Sequence, residues 1–358
     1  MKNKIFVEDL EQINNQIDRV KFKNATILIT GCAGFLGYYI LNYFTKYFEE
    51  LNLERIIGLD TFILSKPKWI NDLISKNKGK LDIYTFDIAK DKIENIKNSE
   101  KVNYVIHMAS IASPSFYRKF PLVTLDANIW GLRQLLDFYV DKKNFKSFLF
   151  FSSSEIYGDP DKKNIPTGEN YKGNVSCLGP RACYDESKRF GETICYLYAN
   201  QFSMPISIVR PFNNYGPGMR INDKRLPADF ANQVLNNKNI EIFSNGKPTR
   251  TFCYITDAII GYLLALTNCK FDFFNIGNDS PELSVLDFAN IFIKQAESLF
   301  NFSPKVIFRV SKDNDYLVDN PNRRCPNITK AKKLLGYNPT IEPYEGVRRY
   351  LIFLKETI

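Results

Sequence analysis

Val7, Leu10, Ile13, Ile17 and Val20 recur at helical spacing, so residues 5–20 are expected to form an amphipathic helix packed on the body of the protein. From residue 24 the pattern changes. Short apolar runs at 25–30, 54–60, 81–86, 102–108, 147–152 and 205–210 read as strands, with helical stretches between them. Strands joined by crossover helices predict a parallel sheet covered on both faces. After Pro211 comes a loop rich in Gly, Pro and Asn, followed by short strands near 240–243 and 251–254. Helices are expected near 282–299, 327–335 and 343–356. This later part reads as a smaller α/β region over the carboxyl edge of the sheet, where open α/β folds bind ligands.

Composition narrows the classes. The chain has 358 residues, 44% apolar and 24% charged, which suits a soluble globular protein of one to three domains. The net charge is +9, but the basic residues are scattered among 39 acids, so a nucleic-acid partner is not expected. A mild preference for anionic small molecules is. Seven cysteines form no C-x-x-C pair, and His107 is the single histidine, which disfavours a disulfide framework or a metal site. No apolar run approaches the roughly 18 residues that span a membrane, and acids stand near the N-terminus where a signal peptide is apolar. A cytoplasmic protein is expected.

Gly31-Cys32-Ala33-Gly34-Phe35-Leu36-Gly37 follows the first expected strand and opens a helix. Glycines there permit a tight turn and close backbone approach to a pyrophosphate at a helix N-terminus. Asp60 ends the second strand, where a carboxylate accepts from adenosine ribose hydroxyls and repels a 2′-phosphate, so NAD is the expected cofactor. Asp87 and Ile88, ending the third strand, are placed beside the adenine. The expected fold is therefore Rossmann-type, a doubly wound parallel sheet with a smaller C-terminal α/β substrate-binding domain. The expected division is 1–22 as a helical extension, 23–212 with about 252–281 as the NAD-binding domain, and 213–251 with 282–358 as the second domain.

Tyr184 and Lys188 lie four residues apart in Gly179-Pro180-Arg181-Ala182-Cys183-Tyr184-Asp185-Glu186-Ser187-Lys188-Arg189, so a helix would put both on one face. An ammonium beside a phenol favours the phenolate, which makes Tyr184 a candidate base. Taken alone, such a pair is more often a solvated surface pair. Ser153, at the end of the strand at 147–152, reaches the same crevice and completes a Ser-Tyr-Lys set.

These residues match the triad of the short-chain dehydrogenase/reductase superfamily, and the Gly-x-x-Gly-x-x-Gly spacing with Asp60 resembles its extended subgroup acting on nucleotide sugars. From about residue 24 onward the chain resembles the UDP-glucuronate decarboxylase family. The matching stretches are Ser153 to Pro160, Gly179 to Arg189, Ala112-Ser113-Pro114 with Tyr117, Arg210 to Pro217, and Asp319 to Pro326. The resemblance implies oxidation at C4 of the sugar, loss of the C6 carboxylate as CO₂ and re-reduction to a pentose nucleotide. It implies catalytic roles for Ser153, Glu155, Tyr184, Lys188 and Arg324, and substrate contacts from Tyr117, Ser153, Ser154, Arg181, Asn213, Arg225, Arg250 and Arg324. NAD contacts would come from Gly31, Gly34, Phe35, Leu36, Gly37, Asp60, Asp87, Ile88, Ala109, Tyr184 and Lys188. It also implies a homodimer packed through helices at 121–140 and 181–202.

Some positions depart from the family. Asp60 is followed by Thr61, Leu64-Ser65 stands where Thr-Gly is usual, Cys325 replaces a lysine beside Arg324, and Tyr38-Tyr39 replace small or polar residues. A 4,6-dehydratase, a 4-epimerase, a decarboxylase that stops at the 4-keto product and a silent NAD-binding module are the alternatives. Ser154-Glu155 lacks the aspartate of the dehydratases, 4-epimerases usually lack the glutamate, and an intact triad argues against the silent module.

Overall fold

The computed structural model describes residues 3–311, 313, 315, 318 and 320–357; Asp319 of the last matching stretch lies outside them. Seven parallel strands form the central sheet: β1 (Thr26–Thr30), β2 (Arg55–Asp60), β3 (Leu81–Thr85), β4 (Tyr104–His107), β5 (Ser147–Phe151), β6 (Ile206–Pro211) and β7 (Asp272–Ile276). Their order is β7-β6-β5-β4-β1-β2-β3. The strand order reverses between β1 and β4, which puts the ligand crevice outside their carboxyl ends.

Six of these strands coincide with the apolar runs. β7 was not singled out, because Asp272 and Asn275 interrupt its apolar stretch. Asn275 is nevertheless buried: its amide donates to Thr167 O (2.9 Å) and Asn327 O (3.1 Å), and it accepts from Tyr157 Oη (2.7 Å). A satisfied polar side chain here does the work of an apolar one.

The first helix, α1 (Lys4–Gln16), ends short of the expected residue 20. Ile17 is extended, and Asp18 starts a separate 3₁₀ turn, Arg19–Phe22, by accepting from Val20 N at 3.2 Å. The buried face of α1 carries Phe6, Leu10 and Ile13. It explains Tyr38 and Tyr39 on α2 (Phe35–Lys46): Phe6 stacks on Tyr38 with centroids 4.8 Å apart, and Tyr39 Oη donates to buried Asp9 at 2.7 Å. Each aromatic ring so buried contributes roughly 1.5–3 kcal/mol.

Beyond β6 the chain builds three small sheets. The strand expected at 251–254 is two strands in different sheets. Thr249–Thr251 pairs with Glu282–Ser284 and Arg323–Arg324, whereas Cys253–Tyr254 pairs with Asn214–Tyr215. The helix expected from 282 begins at Val285, because Ser284 and Asp287 form a reciprocal capping box. The remaining expected helices are Thr329–Leu335 and Pro343–Thr357. One continuous apolar core joins α1, α2 and the helices at 255–266, 285–300 and 343–357.

Candidate active site

The carboxyl ends of the strands and the loops near 213–227 and 242–252 enclose a cleft of about 470 Å³. All of the expected contact residues line it: Gly31, Gly34, Phe35, Leu36, Gly37, Asp60, Asp87, Ile88, Ala109, Tyr117, Ser153, Ser154, Glu155, Arg181, Tyr184, Lys188, Asn213, Arg225, Arg250 and Arg324.

At the glycine end, Gly31 has φ +69°, and a Cβ there would lie 2.8 Å from Ala109 N. A Cβ on Gly37 would lie 2.2 Å from Cys32 O, so the start of α2 sits tight on the loop. No side chain caps α2, which leaves its first amides for a ligand. Asp60 is fixed by Ala33 N (2.9 Å) and Phe62 N (2.8 Å); burial raises its pKa while these two amides oppose the rise. An uncapped helix start and a held carboxylate fit the pyrophosphate and ribose of NAD.

At the other end, β5 runs into Ser153, whose Oγ accepts from Glu155 N (3.2 Å) and whose proximity to the Tyr184 hydroxyl opposes the rise of the phenol's pKa. Tyr184 and Lys188 share a face of the helix Ala182–Phe202, α3. Lys188 Nζ donates to Phe151 O (2.6 Å) and lies 5.8 Å from the Tyr184 ring centre. Their electrostatics differ from expectation. Burial pushes the phenol up to about 12 and the ammonium down to about 7, so in the unliganded cleft the lysine does not make the tyrosine acidic. Desolvation outweighs a cation whose hydrogen bond goes to the backbone. Tyr117 stacks on Tyr184, centroids 5.1 Å apart and 8° from parallel, and its hydroxyl is buried without a partner among the described residues.

Glu155 joins the pieces. Arg324 grips its carboxylate with two bonds of 2.5 and 2.6 Å, and Arg181 donates to the same carboxylate. Burial alone would raise the Glu155 pKa, but the two arginines outweigh it and hold it at about 2. Strand alternation decides between the adjacent arginines: Arg324, level with Arg250, turns into the cleft, while Arg323 pairs with Glu282 at 2.7 and 2.8 Å. Cys325, in the lysine position, is buried against Asp279 O and gives the cleft no charge. Arg250 donates to Thr249 O (2.7 Å) and Pro321 O (2.5 Å), and burial with Arg324 nearby lowers its pKa to about 9. Arg225 is paired with Asp223 and lies 5.9 Å from the Phe35 ring. Asn213 adopts φ +43° and donates to Thr251 O (2.8 Å).

The sequence reading passed over several neighbours. Asp185 is buried beside Arg181 (3.4 Å), its Oδ1 has no partner among the described residues, and burial with Glu155 nearby pushes its pKa up to about 7. Asn128, in a π-helical turn at Ala127–Gly131, donates to Ser187 Oγ (2.8 Å) beneath Tyr184. Arg220 and Asp223 line the cleft from the 216–225 loop. The Asp following a candidate tyrosine was a visible signal; the others needed the third dimension.

A profile of the NAD dependent epimerase/dehydratase family matches residues 27–277. UDP-glucuronic acid decarboxylase 1 of Xenopus tropicalis is 33% identical over 335 residues, covering 93% of this chain and 72% of that protein. UDP-glucuronic acid decarboxylase 5 of Arabidopsis thaliana is 32% identical over 327 residues, covering 90% and 87%. Among solved structures, the UDP-glucuronic acid 4-epimerase of Bacillus cereus in complex with UDP-glucuronic acid and NAD is 26% identical, with a TM-score of 0.76, covering 93% and 100%. The dTDP-glucose 4,6-dehydratase of Streptomyces venezuelae shares the fold at 20% identity and a TM-score of 0.77, covering 93% and 97%. The chain is an NAD-dependent enzyme and belongs to the NAD dependent epimerase/dehydratase family, in the extended branch of the short-chain dehydrogenases/reductases.

Proposed function

We propose that this enzyme decarboxylates UDP-glucuronate to UDP-xylose. The observation that carries the reading is the convergence of Arg181 and Arg324 on Glu155 beside Ser153 and Tyr184, with Arg250 nearby. Three guanidinium groups against the ionised Glu155 and an Asp185 that burial keeps partly protonated leave positive charge for a carboxylated nucleotide sugar. Curated relatives named UDP-glucuronic acid decarboxylase support it.

In this reading, 23–212 with 252–281 form the cofactor side, and 213–251 with 282–358 the sugar-nucleotide side. Bound between Gly31–Gly37, Asp60, Asp87–Ile88 and Lys188, NAD supplies the hydride acceptor, and later the donor, for C4. Tyr184 takes the proton of the C4 hydroxyl while Ser153 donates to the same oxygen. A positively charged cofactor bound beside Tyr184 would bring the phenol down from its unliganded value. The ketone at C4 makes the C6 carboxylate a β-keto acid. Its C5–C6 bond breaks to release CO₂, and the electron pair moves onto O4, where Ser153 and Tyr184 hold the enolate. Glu155 and Arg324 act at C5 and the departing carboxylate, and Arg181, Arg225 and Arg250 hold the anionic parts of the substrate. C5 then takes a proton from water, and Tyr184 returns its proton to O4 as C4 is re-reduced, which would leave the cofactor unchanged overall.

A homodimer through the faces that leave Leu122, Trp130, Phe190 and Leu197 exposed belongs to the same proposal, and its mass in solution tests it.

The experiment is incubation of the purified enzyme with NAD and UDP-glucuronate, with products identified by NMR. UDP-xylose without net NADH is expected. UDP-galacturonate would instead establish a 4-epimerase, the second reading, which the 26% identical epimerase complex favours. Turnover of a neutral hexose nucleotide with UDP-glucuronate inert would overturn both.

A further inference from the structure

The loop 216–225 belongs to the later part of the chain, yet it crosses the glycine end of the cleft. Gly218, at φ +86°, lies so close to α2 that a Cβ there would be 2.7 Å from the Tyr38 ring. This approach delivers Arg220 to the loop after Asp60. Its guanidinium donates to Leu64 O, to Ser65 O (3.1 Å) and to Ser65 Oγ (3.3 Å). That loop is held in a special shape: Phe62 and Ser65 both have left-handed backbones, at φ +55° and +89°, and Ser65 N donates to Phe62 O (2.8 Å). The far end of the crossing segment is fixed as well, since Ser113 Oγ donates to Asp223 O (2.7 Å) in a buried bond. Leu64, Ser65 and Arg220 all line the cleft.

We infer that residues 216–225 form a strap across the adenosine end of the cofactor site, fastened by Arg220 to the 61–65 loop, and that NAD leaves only when this fastening opens. Arg220 is a positioning residue: it acts on the cofactor through Leu64 and Ser65. Lysine cannot replace it fully, because a fork of donors bonds two carbonyls and a hydroxyl at once. The departures at Leu64-Ser65 and the arginine that fastens them belong to one device. The inference requires NAD binding and is independent of which sugar is converted.

The test is the rate of cofactor release. Enzyme loaded with NADH is mixed with excess NAD⁺ in a stopped-flow instrument, and loss of bound-NADH fluorescence is followed. Removing charged hydrogen bonds to the loop should make release about tenfold faster in Arg220→Ala, with Arg220→Lys between it and the native protein. The melting temperature of the cofactor-free variants should match the native one. Equal release rates in native and Arg220→Ala protein would overturn the inference. Should Arg220→Ala not fold, hydrogen exchange on the native enzyme decides: NAD is expected to slow exchange in 62–66 and 216–225 together, and protection of neither segment overturns the strap.

Discussion

A fully buried carboxylate and a half-buried one, each gripped by arginine, sit in this molecule with different surroundings. Asp9 on α1 accepts from Tyr39 and Tyr254 at 2.7 Å each and from Arg349 at 2.8 Å, and Glu345 holds Arg349 from its other side at 2.7 Å. The cluster is closed: four elements meet there, and Asp9 is fully buried. Glu155 is held by two arginines, faces the cleft, and has beside it a third arginine and an Asp185 oxygen with no partner among the described residues. Their proton affinities move in opposite directions. At Asp9 burial outweighs two phenols and one arginine and raises the pKa; at Glu155 two arginine forks outweigh burial and lower it to about 2. Neutral donors plus a shared cation satisfy a carboxylate geometrically and lock helices together. Surplus guanidinium charge at an open wall leaves binding capacity for another anion, so the first cluster serves stability and the second is the one proposed to serve chemistry.

The largest effect expected is from Tyr184→Phe, which removes the proposed proton acceptor beside the open cluster. Turnover should fall on the order of a thousandfold or more with an unchanged melting curve. Asp9→Ala leaves Arg349 and two buried phenols without their acceptor, so denaturant unfolding should show a loss of about 3 kcal/mol. Turnover per folded molecule should stay within about twofold, since Asp9 touches nothing in the cleft. Arg324→Lys keeps the charge but loses the two-pronged grip on Glu155, and steady-state kinetics should show turnover down about a hundredfold. A larger stability loss in Arg324→Lys than in Asp9→Ala would reverse the assignment of the two clusters.

The smallest effect expected is in pH dependence. The Asp185 pKa is raised from 3.8 to about 7, so its contribution to stability is full below pH 3.8 and lost as the pH rises through about 7. Glu155 has the opposite sign: its contribution is present above pH 4.5 and lost as the pH falls toward 2. The melting temperature of Asp185→Asn minus that of the native enzyme should therefore grow between pH 4 and pH 8. A constant gap would mean that Asp185 is ionised throughout.

Much of this was legible in the chain. Short apolar runs located six of the seven sheet strands, and short motifs located the cofactor turn, Ser153 and the Tyr184–Lys188 pair. Local sequence cannot report what only meets in space. Glu155 and Arg324 are 169 residues apart, and which of Arg323 and Arg324 faces inward depends on a two-residue strand paired with Thr249–Arg250. The acidity of Tyr184 was misjudged because spacing shows proximity to Lys188 but not the burial that governs both groups. Tyr38 and Tyr39 looked anomalous until α1 was seen to cover them.

The central claim, that the open cluster serves a carboxylated sugar about to lose that carboxylate, meets its most direct test in the fate of C6. The enzyme with NAD would be given UDP-glucuronate labelled with ¹³C at C6 and followed by ¹³C NMR. The label is expected to leave the nucleotide and appear as CO₂ and bicarbonate at the rate that UDP-xylose forms. Label retained in a nucleotide uronate during turnover would contradict the account.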